Sequence, residues 1–444
     1  MAAEAYDAIV VGGGPAGSAA AVGLARAGLS VVVLERASFP RFHLGESLLP
    51  EMMRFLRELG LEACVAAVPQ VPKTGASFVG ADGRGPSFRF ADALAVERGA
   101  EAAAFNVERA AFDSALLAAA REAGAEVREG ATVRAIGRLA QGDVRIEVEQ
   151  GGERREVRGR WLLDASGQAT VVGRHLGTRR VIPRMKKVAY YGQYEGVARA
   201  PMPEGGYPVI VVCREGWFWL IPLDERRTSI GFVTEAGAVQ RIGVPPDRLL
   251  AWAIARCPFV AERTAGACAL PVRGVTADFS YRCRPYAGPG YFLLGDAATF
   301  IDPIFSTGVC LGIGSAREAV RVIARVERGE LAAAAARRLY ARTVRRGTAP
   351  FFRLVRLYYD PAFRDLLFEA NGPLQVHRAV LSILAGHVFP RTSFDLRWRL
   401  WFFRACVAVQ RLVPLVPRRP AYSLLAAECG AERQLGERGG HGAF

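Results

Sequence analysis

The strongest constraint on this chain is a glycine turn set between two apolar segments near its start. Residues 6–11 predict a short strand, and Gly12-Gly13-Gly14-Pro15-Ala16-Gly17 a tight turn. Residues 18–27 predict an alanine-rich helix, and 30–34 a β-branched second strand that ends on Glu35. Strand, helix and strand in that order form a βαβ unit, with Gly12, Gly14 and Gly17 at G-x-G-x-x-G spacing inside it. Gly12 allows the turn, Gly14 lets a pyrophosphate reach the backbone, and Gly17 lets helix pack on strand, while the helix N-terminus offers N–H groups to the anion. Glu35 suits a ribose diol, and its charge repels a 2′-phosphate.

The rest of the 444 residues is organised around that start. At about 100–200 residues per domain, such a length holds two or three packed units. A composition of 51% hydrophobic and 23% charged residues excludes disorder over most of it. A helix is predicted over 110–123 behind Arg109, a returning strand over 125–133, and a hairpin over 144–149 and 155–163 that closes on Asp164-Ala165-Ser166-Gly167. Short strands over 188–195, 208–213, 217–223 and 228–233 follow closely enough for an antiparallel sheet. A strand over 291–294 leads into Gly295-Asp296-Ala297-Ala298 and, past a loop, a helix from 308 to 327. The expected fold class is α/β (α+β overall). A Rossmann-type domain spans 1–330, in segments 1–72, 106–180 and 276–330, with an antiparallel substrate-side sheet inserted from 73–105 and 181–275. Residues 331–444 are expected to form a helical, arginine-rich region with a disordered tail after about 420.

These motifs, in this order, resemble the FAD enzymes built like the aromatic hydroxylases, over roughly residues 5–330. The resemblance implies FAD cradled by Gly12, Gly14, Ala16, Gly17, Glu35, Arg36 and Arg41. It also implies Arg109 near the flavin, Asp296 at the ribityl or pyrophosphate region, and Pro303 and Gly308 as further cofactor contacts. Two segments are similar to the flavin-dependent halogenases. Gly216-Trp217-Phe218-Trp219-Leu220-Ile221-Pro222 fits G-W-x-W-x-I-P, and Phe300-Ile301-Asp302-Pro303-Ile304-Phe305-Ser306-Thr307-Gly308 fits F-x-x-P-x-x-S-x-G. The loop over 39–50, with Gly45-Glu46-Ser47, resembles that family's flavin-side loop, and Lys73-Thr74-Gly75-Ala76-Ser77-Phe78 its K-x-G-x-x-F segment.

Two tryptophans alternating on a strand are by default core indoles, and a lysine is by default solvated. The completeness of the tryptophan motif reverses the first default. Lys73 is one of only three lysines beside 55 arginines, and lysine, unlike arginine, can release its proton. The resemblance therefore implies a halogenase that uses reduced FAD (FADH2), O2 and chloride or bromide. In that reading a flavin hydroperoxide oxidises the halide, held by the Thr307 and Gly308 N–H groups at a helix N-terminus. Trp217, Trp219, Ile221 and Pro222 wall the substrate from the flavin. Lys73 receives the hypohalous acid, either as an ammonium that hydrogen-bonds it or as an amine that forms a chloramine. Where tryptophan halogenases carry a glutamate, this chain has Phe305. Phe305 and Ser306 become substrate-pocket candidates, and the missing carboxylate favours a ring that activates itself, a phenol or a pyrrole. Asp302 reads equally as a flavin-side group and as a loop cap, and His43 as a hydrogen-bonding loop residue.

With no second dinucleotide fingerprint, FADH2 is expected from a separate NAD(P)H-dependent flavin reductase. The net charge is +15, and residues 331–444 hold 18 arginines against seven acidic side chains. That excess suits an acidic acyl or peptidyl carrier protein that delivers a tethered ring, or peripheral contact with anionic lipid; no nucleic-acid module accompanies it. No apolar run reaches the ~18–20 residues of a membrane span, and no secretory leader is visible, so a cytoplasmic location is expected. Eight scattered cysteines lack metal-ligand spacing and read as reduced thiols, with no metal site. The rivals are an aromatic hydroxylase or isoprenoid-lipid reductase on the same scaffold, and a non-catalytic flavoprotein or carrier-binding module.

Overall fold

The computed structural model describes residues 4–369, 373–389 and 392–426. It is built on two eight-stranded sheets. The first runs in the order Ala287–Gly288, Tyr291–Leu293, Glu153–Asp164, β1 (Glu4–Val11), β2 (Val31–Glu35) and Glu126–Glu129, with parallel pairing from Tyr291–Leu293 onward. Its central strands are buried on both faces, which is why they read as unbroken apolar runs.

Helix α1 (Pro15–Arg26) packs between helices Arg109–Glu122 and Gly308–Glu327. Its small side chains permit this: a Cβ on Gly23 would lie 2.8 Å from a Val320 methyl group. The helix starts three residues before the expected Ser18, because Pro15 at its first position has the right φ and no N–H to satisfy. The strand expected over 125–133 is broken at Gly130, whose φ of +70° turns the chain out of the sheet. Thr132–Ala140 then pairs with Asp143–Gln150.

The second sheet runs Thr299–Phe300, Cys268–Cys283, Arg179–Glu195, Arg227–Glu235, Gly216–Pro222, Val209–Val212, Gly75–Gly80 and Ser87–Arg89. It differs from the expected inserted sheet in two ways. Val209–Val212 pairs in parallel with Gly75–Gly80, and the ladder between Arg179–Glu195 and Cys268–Cys283 carries the sheet past residue 275. Both of its faces are covered. Trp217, Trp219 and Ile221 enter the large core shared with the Rossmann layers, while Phe218 and Leu220 enter a second core under helices Leu249–Arg256 and Pro258–Thr264.

Helix Ala333–Tyr358 lies along Gly308–Glu327 and sends Tyr340, Phe351 and Val355 into the large core. The region after 330 is thus built into the scaffold rather than appended to it. Pro361–Leu367, Val376–Leu384 and Phe394–Leu412 complete it. The disordered tail expected after about 420 falls mostly on residues 427–444, which lie outside the described residues. Before them, the Tyr422 carbonyl accepts from the Arg214 N–H at 2.8 Å, Glu215 holds Ser423 and Leu424, and Leu424 is fully buried in the second core.

Candidate active site

The glycine turn leaves no space for side chains at two of its positions. A Cβ on Gly12 (φ +102°) would lie 2.4 Å from the Ala165 carbonyl oxygen, and one on Gly17 would lie 1.9 Å from that of Gly12. Gly14 is different: a Cβ there would meet only the Arg41 guanidinium, at 3.4 Å, and Gly14 is itself the N-cap of α1, whose start has no side-chain cap. Both oxygens of buried Glu35 accept backbone bonds, from Gly13 at 2.7 Å and from Ala37 at 2.8 Å. That carboxylate braces the turn and retains lone pairs for a further donor. Gly295 approaches the Gly312 Cα and the Ala16 methyl, so the Gly295-Asp296-Ala297 segment meets the first turn of α1. The position of a Cβ on Gly308 is 3.8 Å from an Asp296 carboxylate oxygen, which puts the start of helix Gly308–Glu327 in the same place.

Arg109 is buried and forms a two-point salt bridge to Asp113 at 2.8 and 2.9 Å. It also donates to the Leu44 carbonyl at 2.6 Å, which ties the 39–50 loop to its helix. Arg41 reaches Asp113 at 3.2 Å and lies over the Phe39 ring, whereas Arg36 is exposed. In this loop the Ser47 hydroxyl, and opposite it the side-chain Oδ1 of Asn106 on strand Ala104–Val107, are buried with no hydrogen-bond partner among the described residues. An open backbone at Gly14, an uncapped helix start and these orphaned polar atoms fit a dinucleotide that lies from α1 to the loop.

Lys73 ends strand Gln70–Lys73, paired with Ala104–Val107, and its ammonium position is buried. Nζ donates to the Leu48 carbonyl at 2.7 Å and stands 5.4 Å from the Phe90 ring centroid. Loss of solvation lowers its pKa to about 7. It lines a cavity with Phe78, Phe88, Phe90, Phe305, Ser306 and Leu384. Lys73, Phe305 and Ser306 are therefore brought together, and among the described residues no carboxylate lines the cavity.

Asp302 caps the turn Pro303–Phe305 by accepting from the Ile304 N–H at 3.1 Å. Ser306 follows in the left-handed region, at φ +54°, and Thr307 is the N-cap of helix Gly308–Glu327. The Trp217 and Trp219 rings lie 6.0 Å apart, both buried, on the strand that ends with Ile221 and Pro222. Sequence reasoning missed two partners of this wall. Tyr359 accepts from Trp217 Nε1 at 3.1 Å and donates to Asp302 at 2.6 Å. Glu46 is fully buried, hydrogen-bonded by Ser229 and Gln193, and raised to about 7 by desolvation. Glu46 was visible in its loop motif, but nothing in the local sequence marks Tyr359. His43 bonds the Leu44 carbonyl, as a loop residue should.

The family model for the FAD binding domain matches residues 5–346. The chain is 29% identical over 405 residues to a 1H-pyrrole-2-carbonyl-[peptidyl-carrier protein] chlorinase of Pseudomonas fluorescens, which covers 86% of this chain and 90% of the relative. It is 31% identical over 317 residues to the corresponding brominase of Pseudoalteromonas luteoviolacea, covering 69% of this chain and 74% of that protein. The solved structure of the flavin-dependent brominase Bmp2 superposes with a TM-score of 0.80 at 27% identity, over 92% of this chain and 99% of the other.

Proposed function

From the premise that the chain belongs to the flavin-dependent halogenases, on the FAD binding domain scaffold, we propose that it halogenates a pyrrole ring delivered as a thioester on a carrier protein. The observation that carries this reading is the Lys73 cavity. Among the described residues its lining is aromatic and aliphatic apart from Lys73 and Ser306, with no carboxylate to receive a ring proton. A pyrrole activates its own carbons and needs no such base, and an acyl ring presented end-on leaves its charged carrier outside.

The Gly12–Gly17 turn, Ala16, Glu35 and Asp296 would hold the cofactor's pyrophosphate and ribose, and Arg109, Arg41 and the 39–50 loop would contribute to its flavin side. Bound in reduced form, FAD would supply two electrons to O2, which takes two more from the halide, giving hypohalous acid and water. The Thr307 and Gly308 N–H groups hold the halide, because an anion is favoured at the start of a 20-residue helix. Trp217 and Trp219 keep the substrate on the far side of the wall. Lys73 then presents the oxidant to the ring. Its near-neutral pKa makes both ammonium and amine accessible, and desolvation favours the amine. A separate NAD(P)H-dependent flavin reductase supplies FADH2, and an acidic carrier protein meets the arginine-rich C-terminal face.

The test is to give the enzyme FADH2, O2 and chloride or bromide with the pyrrole-2-carbonyl group either free or on a carrier, and to read the halogen isotope pattern in the product mass. Halogenated thioester made faster than halogenated free acid is the expected result. Faster use of the free acid removes the carrier, and a product with added oxygen but no halogen overturns the reading altogether.

A further inference from the structure

Both indoles of the tryptophan wall reach a buried carboxyl group through a hydroxyl, and the two carboxyls lie on different loops. Trp219 Nε1 donates to Ser229 Oγ at 3.2 Å, and Ser229 hydrogen-bonds Glu46 in the 39–50 loop. Trp217 Nε1 donates to Tyr359 Oη at 3.1 Å, and Tyr359 donates to Asp302 at 2.6 Å, in the loop that leads to Thr307. The other Asp302 oxygen caps the Ile304 N–H, and the Asp302 N–H donates to Ser280 Oγ at 3.1 Å.

Tyr359 itself is held from several sides. It terminates helix Ala333–Tyr358, its ring packs edge-on against Tyr358 at 5.6 Å, and the Lys187 ammonium stands 3.9 Å from its ring centroid. Lys187 is in turn paired with Glu235 at 2.9 Å. The turn that Asp302 caps needs such support. Ser306, immediately after it, is left-handed, a conformation disfavoured for a non-glycine residue that persists only when its surroundings impose it.

We propose that Tyr359 is a positioning residue for the halide. Its hydroxyl fixes Asp302, Asp302 fixes the turn Pro303–Phe305, and that turn aims the Thr307 and Gly308 N–H groups; by accepting from Trp217, the same hydroxyl locks the loop to the wall. The proposal deepens the reading above and rests on the halide being held by Thr307 and Gly308.

The test is Tyr359→Phe, which keeps the ring and removes the hydroxyl. Losing this buried hydrogen bond should raise the KM for chloride or bromide roughly tenfold while FADH2 oxidation is unchanged. Amide exchange of residues 304–308 should quicken in both FAD-free and FAD-loaded protein. Asp302→Asn keeps the Ile304 acceptor and loses the Tyr359 one, so it should give the same rise, and the double variant should be no worse than the poorer single. A halide KM and a loop exchange rate both unchanged in Tyr359→Phe overturn the proposal, even if Tm falls. Gly308→Val separates the two readings. A raised halide KM there with none in Tyr359→Phe sinks only the positioning role, whereas no rise in Gly308→Val sinks the halide site beneath it.

Discussion

Lys73 and Glu46 show what burial does to single ionisable groups. Lys73 titrates near 7 in the fold against 10.5 when solvated, so between those values the unfolded chain holds more protons and stability climbs with pH. The penalty of burying it is full below about pH 7 and fades toward 10.5. Lys73→Met should therefore raise Tm by several degrees at pH 7, with the gap to wild type closing by about pH 10, as calorimetry across that range would show. Lys73→Ala should abolish halogenated product while flavin oxidation continues. In the wild type, product formation should rise between pH 6 and 8 if the amine is the working form; a fall over that interval would assign the work to the ammonium. Glu46 has the opposite sign. Its raised folded pKa gives stability that is fully present below about 4.5 and lost as pH rises through about 7. Glu46→Gln keeps the polar shape of the group and should gain on wild type by roughly 2–3 kcal/mol between pH 4.5 and 8 in denaturant titrations.

The strand Gly216–Pro222 works as one element. Its period-two alternation sends one set of side chains to the large core and the other to the second core, so the strand cannot slip by one residue without exchanging indoles for Phe218 and Leu220. The neighbouring strand is cut to fit it: a Cβ on Gly231 would lie 2.1 Å from the Trp219 ring. Gly231→Ala should cost about 1–3 kcal/mol by overpacking and lower the halogenated product per FADH2 consumed. Gly192→Ala, where the nearest atom is 3.4 Å away, is the matched control and should change neither by more than a small fraction. Both outcomes are read by thermal denaturation and product mass. The motif made this strand visible in the sequence, yet the glycine beneath Trp219 was not, because it belongs to the next strand and acquires meaning only through the pairing of Trp219 with Gly231.

At the scale of the molecule, the charge has a definite place. On helix Phe394–Leu412, Leu396, Phe403 and Val407 are buried, while Phe394 and Trp401 are 78% and 69% exposed with exposed Arg397 and Arg404 between and beyond them. Arg399 pairs with Asp395 and Arg411 with Asp360, but Arg397 and Arg404 have no ion pair among the described residues. Such a face suits an acidic carrier surface. Arg397→Glu with Arg404→Glu should raise the KM for carrier-bound substrate about tenfold at low salt with kcat unchanged, and the difference should shrink as salt screens it over ~10 Å at 0.1 M. The sequence by itself determined the βαβ start, the two-sheet class and the motifs that report the cofactor and chemistry, because glycine geometry and apolar periodicity are local and survive in the order of residues. Only the tertiary structure decided that Lys73 is buried beside Phe305 and Ser306, that the C-terminal helices belong to the scaffold's core, and that Tyr359 joins Asp302 to Trp217. Those contacts link residues far apart in the chain, and their energies depend on which buried donors and acceptors packing brings within hydrogen-bonding distance.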